Sequence, residues 1–137
     1  MLKEYCLWEG NKLPKDAIRF KVARPSVLGV PEHIWLQFKH GAMDFKEYSE
    51  AYINWAWRSP KARERIKLIV RRVKRNKVKD VYLGCYCRDY PCHRFTLLSF
   101  LADRFGCEVD PVALKKMGEQ PIRSLADMFK KLDEGGL

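Results

Sequence analysis

The sequence predicts a single α/β domain in three layers, with a small, mainly parallel sheet flanked by helices. Three observations lead there. Short segments of strand character alternate with longer segments of helical periodicity, the order that builds parallel sheets. The composition of "VKDVYLGCYC" (78–87) suits a buried central strand. At 137 residues the chain is long enough for one domain whose core needs no disulfide staples.

Leu2 to Trp8 reads as a short strand. "AIRFKVAR" (17–24) alternates Ile18, Phe20 and Val22, a strand with one buried face. Two prolines and a glycine make "RPSVLGVPEH" (24–33) a loop. "DFKEYSEAYINWAWRS" (44–59) is a helix, with Asp44 as N-cap and Glu47 completing a capping box. Its Phe45, Tyr48, Tyr52 and Trp55 recur every three or four residues. That spacing marks a core stripe; a base-stacking platform would need the rings exposed. Ser59 and Pro60 suit the cap and first position of the next helix, "PKARERIKLIVRRVKRN". Ala62, Ile66, Ile69, Val70 and Val73 share one face of it. In the 78–87 strand Val81, Leu83, Cys85 and Cys87 point one way. The loop "RDYP" then leads into the helix "CHRFTLLSFLADRF" (92–105), with Asp89 or Tyr90 as its cap, Pro91 in its first turn and Gly106 at its end. "CEVDP" (107–111) reads as a strand closing a β-α-β unit, and C-terminal helices follow within 111–134.

The formal net charge of +10 favours polyanionic partners, nucleic acid among them, or anionic substrates. The charge is uneven: 58–79 holds eleven Lys and Arg against the single acid Glu64. Such a run also fits a merely solvated helix face. Sparse Gln and Asn with 32% charged residues point to a thermophilic source. No apolar stretch is long enough to span a membrane. The first residues, "MLKEYCLWEGNKL", hold acids and no apolar run, so no signal peptide is expected and the reading is cytoplasmic. Five cysteines, an odd number, favour free thiols, ligands or redox chemistry over a disulfide framework, although a Cys6–Cys107 bridge is open to a thermophile.

Three of the five cysteines sit in "GCYCRDYPCHR" (84–94), together with His93. Ligands of parallel α/β sheets bind at the carboxyl edge of the strands, where this segment falls. A helix start has free backbone N–H groups that favour a thiolate or an anion, and Arg88 and Arg94 add positive charge on either side. Three readings follow. The first, and the one the local physics favours, is a reactive thiol or anion site. It is not the C-x5-R loop of phosphatases and rhodaneses, because six residues separate Cys87 from Arg94 and eight separate Cys85 from it. The second is a zinc site with Cys85, Cys87, Cys92 and His93 as ligands. Against it, adjacent Cys92 and His93 would point about 100° apart on a helix. The third is structural, with the cysteines as small core residues.

"VYLGCYCRDYPCHRFTLLSFLADRF" resembles the signature of the prokaryotic family named "domain of unknown function 488", in which a strand ends in cysteine and Cys-His-Arg opens a helix after a polar loop. The C-Y-C-x4-C-H spacing is also similar to the related "domain of unknown function 4326" group. Upstream, "ARPS" (23–26) and "FKEYSEAY" (45–52) resemble the first family's arginine–proline loop and F-x-x-Y helix. The resemblance spans about 17–105 and implies Arg24, Cys85, Cys92, His93 and Arg94 as site residues. It implies no reaction.

The expected site is therefore an anion-binding pocket with Arg24, Arg88 and Arg94 around the Cys92–His93 helix start. The leading reading is an enzyme acting on a nucleotide, a nucleic-acid end or a similar anionic substrate. Cys92 is its first candidate nucleophile, Cys85 and Cys87 are its partners in thiol chemistry, and His93 is its general base. No cofactor is required by that reading; zinc is the alternative. A second alternative is a non-catalytic nucleic-acid-binding protein using Arg71, Arg72, Lys74 and Arg75 of the basic helix.

Overall fold

The structure is a computed structural model that describes residues 1–88, 91–118 and 127–130. Three strands, β1 (Leu2–Cys6), β2 (Ile18–Lys21) and β3 (Val81–Cys85), form an all-parallel sheet in the order β1-β3-β2. β3 is buried along its whole length, as its composition predicts. Registered residues share a face, so Leu2, Cys6, Val81, Leu83, Cys85 and Ile18 look towards the α-helices. The opposite face carries Tyr5, Tyr82, Gly84 and Arg19. There a 3-10 helix (Leu7–Lys12) lies against the sheet, held by Arg19, which donates to the Gly10 carbonyl at 2.9 Å and that of Pro14 at 3.1 Å. Gly84 leaves room for the Tyr5 ring, from which a Cβ would stand only 2.5 Å away.

Five α-helices complete the described fold: α1 (Glu32–Lys39), α2 (Phe45–Arg58), α3 (Pro60–Arg75), α4 (His93–Phe105) and α5 (Pro111–Met117). The capping box of Asp44 and Glu47 starts α2, and the Ser59 hydroxyl accepts from the Ala62 amide at the start of α3. The aromatic stripe is core: Tyr48 and Tyr52 are buried and Phe45 and Trp55 pack on the core's edge. Ala62, Ile66, Ile69, Val70 and Val73 all face inward, each larger side chain gaining about 1.5–3 kcal/mol by burial. A buried hydroxyl pair, Ser49 and Thr96 at 2.7 Å, pins α2 to α4.

Several boundaries differ from expectation. The first strand stops at Cys6, because Leu7 and Trp8 open the 3-10 helix. Glu32 already belongs to α1, not to a loop. Cys87 lies beyond β3 and is exposed, so it does not continue the strand's inward face. The strand expected at 107–111 shrinks to one bridge, Leu2 with Val109. Gly106 ends α4 in the left-handed region and Asp110 caps α5, which leaves no room for more. Residues 127–130 are helical; the rest of the expected terminal helix lies outside the described residues. All five cysteines are free, so Cys6 and Cys107 are not bridged. Among the described residues no helix is long and apolar enough to cross a membrane.

Candidate functional site

The carboxyl edge of the sheet brings the site together. Cys85 closes β3, the central strand, and Val22 follows β2, its amide bonded to the Gly84 carbonyl at 2.8 Å. Above them α4 begins. Its cap is Cys92, and Pro91 precedes the helix; Asp89 and Tyr90, expected to cap it, lie outside the described residues. Cys92 has extended backbone angles, φ −152° and ψ 148°. The 100° divergence expected of neighbours on a helix therefore does not apply, and the side chains of Cys92 and His93 converge. The Cys92 Sγ lies 3.7 Å from His93 Nδ1, and the Cys85 Sγ lies 4.0 Å from the same atom.

His93 is buried and locked. Its Nε2 sits 2.7 Å from the Val22 carbonyl oxygen, which can only accept, so Nε2 carries the proton. In the neutral ring Nδ1 is then bare, and its lone pair faces the two sulfurs. The Tyr52 ring meets the imidazole edge-on at 5.2 Å. Cys85, Cys92 and His93 thus form a buried group whose ligand atoms all lie within 4.8 Å of one another, and it could hold a metal ion. Cys87 is exposed and lines the adjoining cavity, outside this group.

The thiols share protons unequally. The neighbouring Cys87 and Cys92 thiols, and then His93, draw the Cys85 thiol below its ordinary range. Cys85 and Cys87, and then burial, push the Cys92 thiol above that range. The Cys87 thiol is raised chiefly by Cys85. The group gives up its first proton readily and the next ones reluctantly.

Arg94 has a different role from the one expected of it. It is fully buried, and its Nε donates to the Glu4 carboxylate at 2.8 Å. One terminal nitrogen donates to the Cys87 carbonyl and reaches the Cys92 sulfur at 3.7 Å; the other donates to the Arg88 carbonyl at 3.2 Å. Four of its five N–H groups are so engaged, two of them bracing the 87–88 backbone. Glu4 is satisfied in turn by Lys116 at 2.7 Å. Arg88 lies on the surface, 3.7 Å from Glu9. Of the three arginines expected to clamp an anion, only Arg24 lines the pocket.

That pocket is a cavity of about 290 Å³. The Cys/His group lines it together with Arg24, Trp35, Phe38 and Tyr48. Phe38 stacks on Tyr48 at 4.4 Å between ring centres, and Arg24 stands over the Trp35 ring at 5.2 Å. Burial, and then the nearby cysteine sulfurs, keep the Tyr48 phenol protonated well above its usual range. The Arg24 loop is folded tightly: a Cβ on Gly29 would come within 2.6–2.9 Å of Arg24 atoms. The Tyr52 hydroxyl fixes it by donating to the Leu28 carbonyl at 2.6 Å. Trp35 and Phe38 were not recognised from sequence; Ile34, Trp35 and Phe38 have the helical spacing that could have found them. Arg71, Arg72, Lys74 and Arg75 are exposed on α3 and do not line this cavity.

No family model matches this chain, and neither a curated protein nor a solved structure matches it.

Proposed function

We propose that Cys85, Cys92, His93 and the marginal Cys87 hold one zinc-class metal ion, and that this centre works on a small anionic substrate in the adjoining cavity. The observation that carries the reading is the set of contacts around the His93 ring. A carbonyl fixes Nε2–H and leaves Nδ1 aimed at two buried sulfurs, the outer-shell arrangement of metal-bound imidazoles. With zinc bonds of about 2.3 Å to sulfur and 2.0–2.1 Å to nitrogen, a tetrahedron puts its sulfur and nitrogen atoms about 3.5 Å apart. The two distances here exceed that by only a few tenths of an ångström. Thiolates with an imidazole select zinc over magnesium or calcium.

Cys87, exposed and beside the cavity, is the ligand placed to be displaced, which would free a coordination position towards Arg24. A metal there would polarise a substrate oxygen or acidify a bound water. Thiols kept reduced for such a role suit the cytosol. The resemblance of the Cys-His-Arg segment to the "domain of unknown function 488" family supports the location of the site and brings no reaction with it. A second reading, a metal-free thiolate nucleophile at Cys85, is favoured by His93 Nδ1, which lies 4.0 Å from its sulfur and can take its proton.

Elemental analysis of protein purified without chelator decides between them. The metal reading expects about one zinc per chain, lost in Cys85→Ser and in His93→Ala. Absence of metal, with rapid iodoacetamide labelling of Cys85 below neutral pH, would establish the thiolate reading in its place.

A further inference from the structure

We infer that the anionic substrate is a single-stranded nucleic acid whose end enters the Cys/His cavity while its phosphates lie in a basic cleft on α3. The inference rests on the reading of that cavity as a substrate site. Its first support is uncompensated charge. Because the apolar stripe of α3 packs inward, Lys61, Arg71, Arg72, Lys74 and Arg75 are exposed, while Arg63 lies over the Trp57 ring. Among the described residues, the only ion pairs from the 58–79 run are Lys67 with Glu64 and Lys79 with Asp16, both at 3.7 Å.

The second support is shape. A cleft of about 560 Å³ runs beside α3, with Lys61, Arg65 and Arg71 around an apolar floor of Val27 and Leu68. Glu64 is its one acid. Positions 61, 65, 68 and 71 step by four, three and three, a single stripe about 15 Å long. That length serves a few nucleotides, with phosphates on the cations and bases over the apolar floor.

The third support is continuity. The segment 24–30 forms a wall of both hollows, lending Val27 to the cleft and Arg24 and Val30 to the cavity. On the cavity side of that segment, Arg24 and Lys39 both stand over Trp35. The aromatic wall beyond them, Trp35, Phe38 and Tyr48, suits a terminal base. An acidic peptide would match the cations and leave that wall without a planar partner.

The test is fluorescence anisotropy with a labelled oligothymidylate of about 15 nucleotides, titrated across salt. Binding is expected at about 50 mM salt, largely lost by about 0.2 M. Lys61→Glu with Arg71→Glu should weaken it by about tenfold or more and reduce the salt slope by about 1.4, two contacts at about 0.7 each. Lys74→Glu with Arg75→Glu makes the same change in net charge outside the cleft and should weaken it less. Circular dichroism checks that all variants fold. No binding at low salt, equal losses in the two double variants, or equal affinity for polyglutamate would each overturn the inference. An oligonucleotide ending in 4-thiouridine should crosslink to Trp35 or Tyr48; crosslinks confined to α3 would overturn the placement of the end. Metal content is measured separately. Metal-free protein that binds and crosslinks upholds this inference and sinks the metal reading, whereas stoichiometric metal with no oligonucleotide bound does the reverse.

Discussion

Replacing Arg94 with methionine isolates the brace beneath the site. The guanidinium is fully buried and the Glu4 side chain nearly so, at 7% exposure, with 2.8 Å between their atoms. Removing one partner of a buried ion pair costs about 3–5 kcal/mol, because the other charge stays buried. Lys116 remains on Glu4 and is itself half exposed, which keeps part of that charge compensated and places the cost near about 3 kcal/mol. The carbonyls of Cys87 and Arg88 also lose a donor, but both residues are exposed and water can replace it. Methionine retains most of the volume, so little cavity cost is added. For a chain of this size that is a fall in Tm of roughly 6–12 °C, read by circular dichroism. Arg94→Met with Glu4→Leu should recover most of it, since an apolar pair replaces a buried ionic one at little cost. The same single variant frees the backbone that carries Cys87, so zinc affinity, measured by chelator competition, should drop about 10–100-fold. A single variant within about 2 °C of the parent, or a double variant no better than the single, would refute this account of the brace.

Tyr52→Phe removes the hydrogen bond that the Tyr52 hydroxyl donates to the buried Leu28 carbonyl. It should lower stability by about 1–3 kcal/mol and speed proteolysis of the 24–30 loop, while unchanged melting would contradict the role given to Tyr52. Burial, opposed by Lys74, raises the Cys107 thiol above its ordinary value of 9.0. The fold therefore favours the protonated form: this stabilisation is complete below the ordinary thiol range and is lost as pH rises above it. Thermal scans from about pH 7 to 10 should show a steeper loss in the parent than in Cys107→Ala, and parallel profiles would count against it.

Signals written in neighbouring residues carried the sequence reading furthest. Asp44 with Glu47, and Ser59 with Pro60, named both helix starts because a cap is a contact within one turn. The α3 stripe was legible for the same reason. α1 was hidden because its cap is Pro31, with no side-chain bond, behind a segment dense in Pro and Gly. The ligand types at the site were visible, but their convergence was not. It depends on the extended backbone of Cys92 and on the Val22 carbonyl, 71 positions from His93, and neither leaves a local trace. Arg94 was assigned to an anion because its true partner, Glu4, is 90 residues away.

The strand order β1-β3-β2 bears on how the chain emerges from a ribosome. The two strands made first do not pair with each other; each waits for β3, which lies beyond residue 80. Until then both present bare edges, and the apolar faces of α2 and α3 have no sheet to close on. Every ladder of the sheet closes a loop of some sixty residues or more, since Ile18 meets Val81 and Leu2 meets Val81 as well. Such separations slow folding relative to locally paired topologies. The central strand thus both ends in the site's Cys85 and decides when the fold can form at all. A fragment ending before Val81 has no partner for either of its strands.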